Sequence, residues 1–270
     1  MYKKPFAIPF IGWILIGTIV PGLVIAFYGF TDRSGAFTMD NVTSIIAPEH
    51  AKALWMSLLL AFISSLICLI ISLPLALILR NSKLSSKGFL VFIFILPMWM
   101  NFLLRTMAWQ VLLERGGLIN SFFENIGMPQ LQIINTPVAV VLGMVYDYLP
   151  FMILPIYNSM IKIENAVIEA AYDLGATKAK VFKDIILPLS VPGIASGITM
   201  VFVPALTTFA ISNMLGGGKI YLIGNIIEQE FTTTSNWNLG SGLSLVMMVF
   251  ILVTMELMSR LDKDGDGALI

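Results

Sequence analysis

Apolar residues gather in six long stretches along this chain, at 7–30, 54–79, 89–113, 136–161, 190–215 and 239–261, with short polar intervals between them. Each is long enough to cross a hydrocarbon core, which takes roughly 20 helical residues. Backbone facing lipid must satisfy its own hydrogen bonds, so each crossing is expected to be helical. The pattern predicts an all-α integral membrane protein with six transmembrane helices, organised as one domain over 1–270. Six prolines fall inside the stretches: Pro21, Pro74, Pro97, Pro150, Pro155 and Pro204. Each frees a backbone carbonyl and is expected to kink its helix. Gly193 and Gly197 open the fifth stretch at a spacing that lets two membrane helices approach closely, and they read as packing residues.

Composition supports the same class. Hydrophobic residues make up 57% and charged residues 12%, where soluble domains carry about a quarter charged. Net charge is zero, which gives no reason to expect a nucleic-acid partner. The single Cys68 lies in an apolar run and the single His50 in a hydrophilic loop, too few soft ligands for a Cys/His metal site. The opening Met1-Tyr2-Lys3-Lys4 resembles a signal peptide, but the apolar run after it is too long and lacks a cleavage site, so a retained signal-anchor helix is expected.

Lys and Arg orient the crossings. Lys3, Lys4, Arg80, Lys83, Lys87, Lys162, Lys178, Lys180, Lys183, Arg260 and Lys263 fall on one side, against Arg33, Lys52, Arg115 and Lys219 on the other. The richer side, holding both termini, is expected to be cytoplasmic. Of the outer loops, 32–53 is expected to be partly ordered. Loop 114–135 carries Phe122, Phe123 and Ile126 in an expected interfacial helix. Loop 216–238 opens Gly216-Gly217-Gly218-Lys219, but Ile220 stands where a phosphate-binding loop needs Ser or Thr. The tail Asp262-Lys263-Asp264-Gly265-Asp266-Gly267 mimics the start of a calcium loop, but the sequence stops before the required glutamate.

The inner loop 162–189 is unlike the others. Good helix formers run from Glu164 to Leu174, with Val167, Ala171 and Leu174 at helical spacing. Gly175 is a natural terminator. A second amphipathic stretch runs from Lys178 to Leu187, ahead of Pro188. The expected form is two short helices joined at a small-residue corner, either lying on the inner leaflet or projecting into a groove on another protein.

Glu169-Ala170-Ala171, three residues, Gly175, nine residues, Ile185, one residue, then Leu187-Pro188 resembles the signature loop of the permease subunits of binding-protein-dependent ABC importers. Gly117-Leu118-Ile119-Asn120, Leu96-Pro97 and the Pro-rich fourth stretch look most like the polyamine (spermidine/putrescine) permeases of that family, B-type. Related permeases carry ferric iron, sulfate or organophosphonates. The resemblance implies a type I importer permease fold (MetI-like) in a bacterial inner membrane. It implies four kinds of partner: a second homologous permease, two copies of a cytoplasmic ATPase that binds ATP and Mg²⁺, an external substrate-binding protein, and a small cationic substrate. It implies that Glu169, Ala170, Ala171 and Gly175 dock on the ATPase, flanked by Ala176, Thr177 and Phe182.

Charge inside the spans bears on the cargo. Asp147, between Tyr146 and Tyr148, lies roughly 17 Å from the outer end of its stretch at 1.5 Å per residue. Intramembrane carboxylates usually face a cavity or a partner, and a carboxylate with aromatic faces suits an ammonium chain. Trp99, Asn101 and Trp109 in the third stretch, and Phe209 and Asn213 in the fifth, complete the candidate path. Arg105, roughly 12 Å deep by the same rise, leaves three readings open: a free Asp147 lining a cation path, an Arg105–Asp147 structural pair, or an Arg105-lined anion path. An intramembrane enzyme would need paired acids or a nucleophile and base at one depth, and Asp147 is the one acid deep in a stretch. A gradient-driven transporter would show inverted repeats, which this sequence lacks.

Overall fold

The computed structural model describes residues 12–81 and 96–267, the last seven by backbone alone. Residues 7–11 and 89–95 of the expected spans, the basic Lys3, Lys4, Lys83 and Lys87, and the side chains of the calcium-loop-like tail lie outside the described residues. The regular structure of the described residues is helical, with one isolated bridge, Thr31 with Phe37.

Four helices are long and apolar enough to cross a bilayer: α1 (Gly12–Gly29), α2 (Pro48–Asn81), α5 (Pro137–Met160) and α11 (Trp237–Gly267, its apolar part ending at Arg260). A fifth is counted if α7 (Lys178–Leu189) and α8 (Val191–Thr207), bent by 64°, form one span. α2 begins six residues before the expected stretch, because Pro48 and Glu49 make a good first turn. His50 therefore lies not in a loop but in that turn, buried, with Nδ1 2.7 Å from the Ser44 carbonyl oxygen.

The third and fifth stretches are not continuous helices. The third has a 3₁₀ turn at Leu96–Trp99, a break at Met100–Asn101, then α3 (Phe102–Leu113). The fifth stops at Thr207, turns through Thr208 and Phe209, and resumes as α9 (Ala210–Leu215). Pro74, Pro150 and Pro155 sit inside unbroken helices, whereas breaks follow Pro97 and Pro204. In the outer loops, Asp32 Oδ1 accepts from Ser34 N, Ser34 Oγ and Ala36 N, which lowers its pKa, the Ser34 hydroxyl most. The 114–135 loop forms α4 (Leu118–Asn125). The 216–238 loop, read from sequence as Gly-rich and polar, contains α10 (Ile223–Thr232).

α2, α5 and α8 pack together as the core, and α11 joins α8 to α1. Small residues set the spacing. A methyl on Gly193 would sit 2.6 Å from the Pro155 carbonyl oxygen, and one on Gly197 2.8 Å from Met152 Sδ. The outward surface is the reverse of a soluble one: Trp55, Phe62, Ile70 and Ile78 form an exposed stripe on α2, a face suited to lipid.

The break in the fifth stretch is held by Asn225 of α10. Its Oδ1 accepts from Ser212 Oγ at 2.6 Å and Leu222 N at 2.9 Å, and its Nδ2 donates to Phe209 O at 3.1 Å and Asn213 Oδ1 at 2.7 Å. All four hydrogen-bonding capacities of the amide are used. Beside it Ile223 N donates to Ser57 Oγ of α2 at 2.8 Å. A methyl on Gly224 would meet the Thr207 and Thr208 carbonyl oxygens at 2.7 and 2.8 Å, so the N-terminal turn of α10 lies against the carbonyl end of α8. Asn225→Leu strands the Leu222 amide without a partner, whereas the Phe209 carbonyl keeps Asn213 N and Ser212 Oγ. The substitution is expected to cost about 1–3 kcal/mol for the stranded amide, read as a lower unfolding midpoint in detergent, with no effect expected for the exposed Thr233→Ala.

Candidate functional site

The corner expected from loop 162–189 is made of α6 (Asn165–Asp173) and α7, joined through Leu174–Thr177. Gly175 adopts φ +81°, a backbone region that costs glycine nothing. Its N–H donates to Tyr172 O at 2.9 Å, and Ala176 N–H donates to Ala171 O at 3.0 Å, closing the end of α6. Thr177 Oγ1 accepts from Lys180 N at 3.3 Å and caps α7. A π-helical turn at Phe182–Ile186 follows.

The residues expected to dock on an ATPase divide between two faces. Glu169, Ala170, Gly175 and Thr177 are exposed, whereas Ala171, Ala176 and Phe182 are half-buried against the bundle. The buried stripe of the corner is Ile168, Val181 and Ile186. Of the spacing noted in the sequence, Ala171 alone turns inward. Val167 is 44% exposed and Leu174 89%, so the tip carries apolar side chains that nothing among the described residues covers.

In the membrane layer, Arg105 Nη2 lies 3.2 Å from Asp147 Oδ1, with side chains 7% and 1% exposed. Thr106 Oγ1 donates to Asp147 Oδ2 at 3.2 Å. Arg105 Nη1 donates to Pro97 O at 3.0 Å, back across the break in the third stretch. Asn101 Oδ1 accepts from Leu103 N and Leu104 N at 2.9 and 3.3 Å and caps α3. Of the three readings left open by the sequence, the geometry is that of the buried pair. A free carboxylate is not what this conformation presents, because Arg105 reaches Asp147 from α3. Burying two charges recovers little net stability, but removing one partner typically costs about 3–5 kcal/mol.

The remaining candidates form two groups and one outlier. Trp109 and Tyr146 meet edge-to-face with centroids 5.3 Å apart, and Tyr148 is buried with its hydroxyl 3.4 Å from Pro204 O, next to the ion pair. Phe209 and Asn213 lie at the second break, with Phe209 43% exposed. It lines an apolar cavity of about 500 Å³ between α8, α10 and α11, which holds the acid Glu228 and the ring of Phe231. Trp99 is 72% exposed at the first break. Sequence reasoning missed Asn225 and Arg80, the latter counted only as a charge. The signal for Asn225 was Ile223, Ile226 and Ile227 at helical spacing around it.

Residues 72–264 match the family described as binding-protein-dependent transport system inner membrane component. The spermidine/putrescine transport system permease protein PotB of Haemophilus influenzae is 35% identical, over 93% of this chain and 91% of its own length. PotB of Escherichia coli is 36% identical over 88% and 90%. The inner membrane ABC transporter permease protein YdcU of Escherichia coli is 26% identical over 93% and 85%. Among solved structures, a chain of a bacterial ABC transporter involved in the import of the acidic polysaccharide alginate aligns with 97% of this chain and 94% of its own. The TM-score is 0.81 at 19% identity, a likeness of fold. The inward-facing MetNI methionine ABC transporter aligns over 80% and 95%, with TM-score 0.57 at 17% identity. With its apolar spans and its two-helix corner, this chain is a multi-pass inner-membrane permease, and it belongs to the family of inner membrane components of binding-protein-dependent transport systems.

Proposed function

We propose that the chain forms one half of the pore of an ATP-driven importer for polyamines such as spermidine and putrescine. The exposed corner Glu169–Thr177, with its uncovered Val167 and Leu174, carries the ATP-driven part of this reading, because an apolar tip on a rigid two-helix projection needs a groove to enter. The polyamine part rests on relatives at 35% and 36% identity whose names give that cargo.

The broken third and fifth stretches each count as one crossing, giving six, with the corner and both ends of the chain on the cytoplasmic side. The whole chain works as a single permease domain. ATP and Mg²⁺ belong to two copies of a separate ATPase subunit, and this chain hydrolyses nothing. A second, similar permease completes the pore, and an external binding protein delivers the cargo. Closure of the ATPases on ATP pushes the corner, and the pore alternates between outward and inward access.

The cargo path in this reading runs past the two breaks, where Trp99, Asn101, Trp109, Tyr146, Phe209 and Asn213 offer aromatic and amide surface. Asp147 supplies the path's negative charge. At rest Arg105 neutralises it, and an ammonium group of the cargo meets the carboxylate once Arg105 has moved aside.

Glu169→Lys and Gly175→Trp are expected to leave the protein inserted and to reduce ATP-dependent uptake by a reconstituted complex at least about fivefold, the lower range of inter-site coupling. Normal ATPase co-purification and uptake in both would remove the coupling claim. Asp147→Asn is expected to weaken spermidine uptake by about tenfold, one lost charge-assisted contact, with the complex still assembled. Uptake at the unaltered level would give the pair a packing role only.

A further inference from the structure

Arg80, in the last turn of α2, reaches out of its own helix. Its Nε donates to Met160 O at 2.8 Å, and its Nη2 donates to Ile163 O at 2.9 Å and to Asn165 Oδ1 at 3.2 Å. The three acceptors follow one another along the chain: the last turn of α5, the link after it, and the first residue of α6. One planar guanidinium thus fixes three points across the joint between span and corner. Among the described residues Arg80 has no carboxylate within ion-pair distance. Its charge faces carbonyl oxygens at the negative end of α5.

Packing alone does not make this connection. A crevice of about 480 Å³ separates the end of α2 from the inner side of the corner, with Arg80, Ile168, Tyr172, Phe182 and Ile186 on its walls. Where side chains do not fill the space, the guanidinium bridges it. The other end of the corner is anchored separately, by Ser159 Oγ donating to Leu189 O at 3.3 Å and by the close approach at Gly193. α2 also has a polar joint at its far end, where Ser57 Oγ receives the Ile223 amide of α10. Ser57 and Arg80 are 23 residues apart on one helix (80 − 57), roughly 35 Å at 1.5 Å per residue.

We propose that Arg80 is a positioning residue that transmits movement of the corner to α2 and, through the Ser57 joint, to the outer helix α10. This rests on the reading that the corner couples to an ATPase. The plainer role is that of a helix cap for α5. The two differ in what they ask of the side chain. A cap needs a cation near the last carbonyls, which Lys supplies. A transmitting joint needs the rigid fork, which Lys lacks.

The test is a complex of this chain with its permease, ATPase and binding-protein partners in proteoliposomes, measuring spermidine taken up per ATP hydrolysed and the stimulation of ATPase by loaded binding protein. Arg80→Lys is expected to assemble and hydrolyse ATP, with uptake per ATP lowered at least about fivefold and the stimulation largely lost. Asn165→Ala, which removes only the corner-side acceptor, is expected to lower the ratio in the same direction, and it decides the matter if Arg80→Lys does not assemble. Gly175→Trp runs alongside. A fall in Gly175→Trp with an unaltered ratio in Arg80→Lys and Asn165→Ala overturns the role of Arg80 while the coupling reading stands. An unaltered ratio in all three overturns both.

Discussion

Within hydrocarbon no water is at hand for a stray N–H or C=O, and an unpartnered group there costs several kcal/mol. An uninterrupted helix meets this demand by itself. Within the described residues the third and fifth stretches are interrupted, at Met100–Asn101 and at Thr208–Phe209, and much of the buried polar chemistry answers these interruptions. Asn101 caps one break and Arg105 reaches back across it to Pro97, while Asn225 binds the carbonyl of Phe209 at the other. The Arg105–Asp147 pair follows from the same demand. The guanidinium is drawn in by the carbonyl it serves, and the carboxylate balances its charge.

These breaks divide what was legible in the sequence from what was not. The uninterrupted helices α2, α5 and α11 were plain from hydropathy, because a long window averages over single polar residues. The same averaging hid Asn101 and Thr208. Asn101 is a strong N-cap residue with α3 directly after it, but inside an apolar run it read as part of a cargo path. The pairing of Arg105 with Asp147 was one of three readings the sequence left open, and only the structure shows the two in contact. The corner was legible almost residue by residue, since Gly175 ends a short helix on local grounds alone. Its inward face was misjudged at Val167 and Leu174, which are exposed, while Ile168 is buried. α10 was missed because Gly216, Gly217 and Gly218 coloured the whole loop, although Ile223, Ile226 and Ile227 already showed a helical face.

Comparison adds family and fold, and the two speak at different resolutions. Relatives at 35% identity over nearly the whole chain place it among the permeases. The alginate transporter chain shows that the same arrangement of helices persists at 19% identity. At that distance few individual side chains are shared, so the likeness is one of fold alone.

The two polar joints of α2 differ in how far apart their members lie along the chain. Arg80 binds carbonyls 80 and 83 residues later, whereas Ser57 binds an amide 166 residues later. During synthesis the inner joint can close as soon as α5 has entered the membrane. The outer joint has to wait until α8 and α9 are in place and α10 has passed to the far side. The outer face is therefore finished last, and until then Ser57 stands on a membrane helix with its cross-chain partner still to come.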